Sequence, residues 1–155
     1  MSNSVTHCGY MTSIFDSNFS NEIDKAAGII SNFGDFEYIA MRGVSGTVFV
    51  SALCYKMNKK PIIIRKETKT HSRHRVEGMP IGDFRFIIVD DFIEYGNTIS
   101  AIFFELHKNK FSHHNLDFVG AYMYEWDQFL LPNNDYLTSI ESWENILDGT
   151  AWNLV

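Results

Sequence analysis

The sequence predicts an α/β fold on a central, mostly parallel sheet flanked by helices. Three observations carry that expectation. The apolar runs "FEYIAM" (36–41), "PIIIR" (61–65), "FRFIIVDD" (84–91) and "LDFVGAYMYEW" (116–126) are continuous rather than alternating, as strands buried on both faces are. Segments of helical period separate the first two and the last two. Strands alternating with helices favour parallel pairing through crossover connections.

Each element has its own justification. Residues 20 to 33 set Ile23, Ala26, Ala27 and Ile30 at helical spacing behind Ser20 or Asn21 as a cap, and Gly34 stops them. The 36–41 strand ends in the glycine turn "RGVSG", after which "TVFVSALCYKM" (47–57) reads as a buried helix, apolar on most faces. Pro61 opens the β-branched run "PIII". Residues 66–82 have no apolar period and end in Gly78, Pro80 and Gly82, a mobile loop of about 17 residues and of the length that tends to be functional. The next strand ends at 89, a helix runs from Gly96 to about Lys110, and a final core strand follows.

At 155 residues the chain is expected to be a single domain that buries its core without disulfides. No apolar run is long enough to cross a membrane. The N-terminus "MSNSVTHCGYMTS" has neither the basic start nor the apolar stretch of a secretory signal, so a cytoplasmic protein is expected. Cys8 and Cys54, far apart and outside any CxxC, read as buried or indifferent thiols. A net charge of −6 argues against a general nucleic-acid binder. Yet Lys56, Lys59, Lys60, Arg65, Lys66, Lys69, Arg73 and Arg75 lie close in sequence, which suggests either an anionic ligand met locally or a solvated basic loop. His71, His74, His113 and His114 have no Cys or carboxylate at metal-site spacing, so no metal is assigned to them.

In an open parallel sheet, ligands lie beyond the carboxyl ends of the strands. Three such ends here carry "RGVSG", the basic loop and "DDFIEYGNT". A turn such as "EYGNT" opening a helix points unpaired backbone N–H groups and the Thr98 hydroxyl at one spot, a phosphate site. Asp90 and Asp91 repel a phosphate, but they accept hydrogen bonds from ribose hydroxyls or coordinate Mg²⁺. The plainer alternative is that they only shape the turn at a strand end.

"FIIVDDFIEYGNT" resembles the PRPP signature of the type I phosphoribosyltransferases, "RKETKTH" (65–71) resembles the start of the flexible catalytic loop of the orotate enzymes, and "MRGVSG" falls where the family has its pyrophosphate turn. The likeness runs over residues 36 to 124, and it implies the type I phosphoribosyltransferase fold, with a core at about 20–124 and a small hood from 1–19 and/or 125–155. By position it implies that Asp90 and Asp91 hold the PRPP ribose, directly or through Mg²⁺, and that Glu94, Tyr95, Gly96, Asn97 and Thr98 cradle the 5-phosphate. Arg42, Gly43, Val44 and Ser45 would meet the pyrophosphate, together with Arg65 and Lys66, while Lys69 and His71 act on the leaving group. It also implies a homodimer, since such loops reach the neighbouring subunit's site in the orotate enzymes.

Three positions depart from the family pattern: Glu94 and Tyr95 replace the usual threonines, and Asn97 stands where a glycine is common. Glu94 reads either as a general acid or base toward the nucleobase, the place of an aspartate in the hypoxanthine-guanine enzymes, or as a surface turn residue. Trp126 or Tyr124 offers a ring on which a flat base stacks, or is core. The implied function is Mg²⁺-dependent transfer of the phosphoribosyl group of PRPP to a nucleobase, in nucleotide synthesis or salvage. The loop favours an orotate-like base, and the chain length a purine. The alternative is a non-catalytic PRPP- or nucleotide-binding regulator of the same fold.

Overall fold

The computed structural model describes residues 18–66, 74–91, 97–110, 113–125, 127–132 and 152–154. The elements, in chain order, are α1 (Phe19–Ile30), β1 (Tyr38–Arg42), α2 (Val44–Met57), β2 (Lys60–Ile64), β3 (Val76–Glu77), β4 (Phe84–Asp90), α3 (Asn97–Asn109), β5 (Leu116–Met123), β6 (Gln128–Pro132) and β7 (Trp152–Leu154). Among the described residues the strands form one sheet in the order β3-β2-β1-β4-β5-β6-β7. The inner four, β2, β1, β4 and β5, are mutually parallel, while β3, β6 and β7 join by antiparallel pairs. The α/β class, the parallel core and the four apolar strands are as the sequence predicts.

Burial on both faces explains those unbroken apolar runs. Alternate residues of one strand enter two separate clusters. Ile39, Met41, Ile87, Val89 and Tyr122 pack under α1 and α2 with Ile23, Ile30, Phe49 and Leu53. Ala40, Ile62, Ile64, Phe86, Ile88 and Phe118 pack under α3 with Ile99, Ile102 and Leu106. A period of two therefore feeds two cores at once, and no polar alternation is left to see.

Three boundaries differ from expectation. The cap of α1 is Asn18, not Ser20 or Asn21, and it works through its backbone oxygen, which accepts from Glu22 N at 3.1 Å. Helix α2 begins at Val44 instead of 47, because Gly43 at φ 89° turns the chain in a single residue. The far end of α2 closes on Asn58 in the left-handed region, with Lys59 N donating to Cys54 O at 2.9 Å.

The segment expected to be loop from 66 to 82 contains β3, whose two residues pair with Ile63 and Ile64. Two residues are too few to show a period. The last apolar strand ends at Met123, and the chain turns at Asp127, φ 52°, into β6. Gly120 permits that hairpin: a β-carbon there lies 2.6 Å from Leu130 O and against the Phe129 ring. Phe33 in turn stacks on Phe129 at 4.0 Å. Among the described residues, no helix is long and apolar enough to cross a membrane.

Candidate active site

The parallel register assembles the site. Arg42 pairs with Ile64 across β1 and β2, and Asp90 pairs with Met123 across β4 and β5. Continuing the β1–β4 register of Tyr38↔Phe86 through Ala40↔Ile88 sets Arg42 level with Asp90. One row at the carboxyl edge therefore runs Ile64, Arg42, Asp90, Met123. Arg65 and Lys66 extend it beyond β2, Asp91 beyond β4, and Tyr124 and Glu125 beyond β5.

The cationic half is built around Gly43. With α2 starting at Val44, the first backbone N–H groups of the helix lack intrahelical partners and face the strand end. Thr47 closes the turn, its N and Oγ1 donating to Gly43 O at 3.2 and 2.7 Å. The Lys66 side chain lies over the turn, its Cε 2.8 Å from where a Gly43 β-carbon belongs. Arg42 Nε is buried and has no hydrogen-bond partner among the described residues. An orphaned guanidinium donor suits an anionic oxygen, and the helix N-terminus that follows it in the chain offers further donors.

The acidic half is built around Asp90, which is only 7% exposed. Burial, followed by the charge of Asp91, pushes its carboxyl up to about 7, against a partial offset from the Thr98 hydroxyl donating to it. The β5–β6 turn buttresses this pair, with Tyr124 N donating to Asp90 O and Glu125 N to Asp91 O, both at 3.1 Å. Desolvation and then the charge of Asp91 raise the Glu125 carboxyl as well. Glu125 was not anticipated from the sequence. Its signal is its position immediately past the strand that neighbours Asp91.

The other sequence candidates divide three ways. Arg42, Gly43, Val44, Ser45, Lys66, Asp90, Asp91, Asn97 and Thr98 come together at this edge by backbone position. Arg65 is also there, but its guanidinium is engaged by Glu77 at 3.2 Å. Lys69, His71, Glu94, Tyr95, Gly96 and Trp126 lie outside the described residues. Tyr124 is partly buried: its ring stacks on Phe49 at 4.2 Å and packs against the α1–α2 cluster.

The basic stretch does not form one patch. Lys56 pairs with Asp24 and Lys59 with Asp35, while Lys60 lies over the Tyr38 ring at 5.4 Å, the latter two at the opposite end of β2 from Arg65. Adjacency in sequence had joined cations that a strand then separates. Cys54 is buried, which pushes its thiol up to about 12 and leaves it unreactive. Among the described residues, no group of three His, Cys, Asp or Glu side chains is placed to hold a metal.

No protein-family model and no curated protein matches the chain. Solved structures do. The UMP synthase of Leishmania donovani superposes with a TM-score of 0.57 at 21% identity, over 72% of this chain and 23% of that one. The orotate phosphoribosyltransferase of Aeropyrum pernix gives 0.52 at 21% identity, over 65% of this chain and 56% of that one. The adenine phosphoribosyltransferase of Thermoanaerobacter pseudethanolicus gives 0.51 at 17% identity, over 68% and 66%. The chain has the type I phosphoribosyltransferase fold. It spans less than two thirds of the length of each of these three proteins. On that fold the carboxyl edge of β1, β2, β4 and β5, where Arg42, Lys66, Asp90 and Asp91 gather, is also where an open parallel sheet takes its ligand.

Proposed function

We propose that the chain is a phosphoribosyltransferase: it transfers the 5-phosphoribosyl group of PRPP to a nucleobase, releases pyrophosphate, and serves nucleotide synthesis or salvage. One observation carries the reading. An aspartate pair whose first member is buried stands level with, and one strand away from, an arginine donor with no partner among the described residues and a helix N-terminus. Side by side, those groups suit a ribose that bears a pyrophosphate.

In this reading Asp90 and Asp91 accept hydrogen bonds from the ribose hydroxyls, and Thr98 holds Asp90 through its hydroxyl. The N-terminus of α3, at Asn97 and Thr98, receives the 5-phosphate. Arg42, the first amides of α2 and Lys66 meet the pyrophosphate. As the bond at ribose C1 breaks, the ribose becomes oxocarbenium-like and the leaving group gains negative charge. Donors fixed before the reaction stabilise that charge more in the transition state than in the ground state. Lys69, His71 and Glu94 keep the roles that the resemblance assigns them.

Magnesium belongs to the proposal. Asp90 and Asp91 offer the hard oxygen donors it prefers, and with no group of three side chains placed to hold it among the described residues, substrate oxygens and water would complete its shell. Its contribution when bound is to neutralise charge on the pyrophosphate. A homodimer in the cytoplasm completes the reading.

Incubation with PRPP, Mg²⁺ and a panel of pyrimidine and purine bases, with pyrophosphate and nucleotide both measured, tests it. Turnover on one base, lost in Asp91→Asn, supports the enzyme. Binding of PRPP without turnover on any base leaves a regulator of the same fold, and absence of PRPP binding refutes both.

A further inference from the structure

Two charged side chains are buried among the described residues, Asp90 and Glu105. The proposed reaction uses the first and has no role for the second. Glu105 lies on α3, the helix that opens at Asn97 and Thr98, and is 5% exposed. Its carboxylate accepts from Arg75 at 3.0 Å. Arg75 immediately precedes β3, and its backbone oxygen accepts from Arg65 N at 2.9 Å. The next residue after Arg65 is Lys66, whose side chain lies on the Gly43 turn.

We infer that Glu105 and Arg75 are positioning residues for Lys66: their ion pair fixes β3 on α3, and through Arg65 sets where the Lys66 ammonium meets the anion bound at Gly43. The inference rests on the proposed function for the identity of that anion as a pyrophosphate. Its warrant is mechanical. The β2–β3 ladder has two residue pairs, Ile63↔Glu77 and Ile64↔Val76, too few to hold a strand end by themselves. Two ion pairs reinforce it, Arg65 with Glu77 at the surface and Arg75, itself half exposed, with the buried carboxylate of Glu105. The exposed pair contributes little, whereas a buried carboxylate tolerates few geometries for its partner and so imposes one position on Arg75. That position is transmitted over one backbone hydrogen bond and one residue.

The test uses the full chain. Arg75→Gln leaves Glu105 buried without a cation and risks misfolding, so the main variant is the double neutral exchange Arg75→Gln with Glu105→Gln, which leaves no buried charge behind. Arg75→Lys is the conservative rescue. Affinities for PRPP and for ribose 5-phosphate, which lacks the pyrophosphate, are measured by calorimetry with Mg²⁺ present. The expected result is a rise of about tenfold in the Kd for PRPP, the scale of one charge-assisted hydrogen bond, with the Kd for ribose 5-phosphate moving less than about twofold. Arg75→Lys is expected to recover most of the loss.

A merely structural pair weakens both ligands equally or neither, and either result overturns the inference. Amide NMR of the ligand-free protein gives a second reading that does not depend on PRPP. Displaced Gly43 and Lys66 resonances with those at the start of α3 unmoved support the pair as a positioning device, and unmoved Gly43 and Lys66 resonances overturn it. Should the wild-type chain bind no PRPP, the proposed function fails, and the NMR result alone decides this inference.

Discussion

Asp90 offers the sharpest test of the site, because its environment sets a pH dependence of known sign. Its folded pKa of about 7 lies above the ordinary value of 3.8, raised by burial first and the charge of Asp91 second. Between those pH values the folded chain holds a proton that the unfolded chain has released. The stability tied to that proton is fully present below about 3.8 and is lost as pH rises through about 7. Three units at 1.36 kcal/mol each set a ceiling of about 4 kcal/mol. Sharing of the proton with Asp91, and water at the open strand end, bring the expected effect to about 2 kcal/mol. For a chain of this length that is a shift in Tm of roughly 4–8 °C. The perturbation is Asp90→Asn, which stays neutral at every pH. Urea unfolding of both proteins from pH 5 to 8 is the assay, and the difference between them cancels the histidines. Wild type is expected to lose about 1 kcal/mol more than the variant across that range, the rest of the effect falling between pH 3.8 and 5. Parallel curves refute the argument that Asp90 is a desolvated carboxyl coupled to its neighbour.

Three further outcomes follow from the packing. Gly43→Ala forces an alanine to φ 89° against Lys66, so calorimetry with PRPP is expected to show at least a tenfold loss of affinity, whereas urea unfolding falls by only about 1–2 kcal/mol. Gly120→Ala drives a methyl group into Phe129 and Leu130 O, and thermal unfolding is expected to register about 2–3 kcal/mol of destabilisation. Phe86, fully buried and in ring contact with Phe84, Phe103 and Phe118, loses about 3–5 kcal/mol on replacement by alanine, measured by urea unfolding, and an effect below 1 kcal/mol contradicts its place at the centre of the α3 cluster.

The fold was legible where burial is two-sided. "FRFIIVDD" carries five buried residues in succession after Arg85, and no solvent-facing strand tolerates that. The aspartates at its end were legible for the same reason, since a buried run that stops on two acids needs something for them to do. The short elements were not. β3 has two residues and is held by the ion pairs of Arg65 and Arg75, whose partners Glu77 and Glu105 lie at separations no local pattern reveals. The β5–β6 turn depends on Asp127 in the left-handed region, accepting from Tyr122 Oη at 3.1 Å and paired with Lys25, a contact between residues 102 apart in sequence. Tyr124 was ambiguous because aromatic rings serve cores and ligands alike, and the contact of its ring with Phe49 lies at a separation no local pattern shows.

The start of α2 at Val44 changes what the site can hold. Had residues 42–46 formed an open turn, Arg42 and Ser45 would be the main groups available to an anion. With the helix beginning directly after Gly43, the positive end of its dipole is set at the end of β1, under Lys66. One strand over, about 4.8 Å away, Asp90 and Asp91 present the opposite charge. A simple dianion satisfies the first half and is repelled by the second. A bare metal ion satisfies the second half alone. The ligand that satisfies both carries an anionic group and neighbouring hydroxyls or a bound cation within one strand spacing, and a ribose bearing a pyrophosphate has that pattern. The charge layout of two adjacent strand ends is thus one that the proposed sugar pyrophosphate matches, and it ties the proposed function to a geometry that Gly43→Ala and Asp90→Asn perturb from opposite sides.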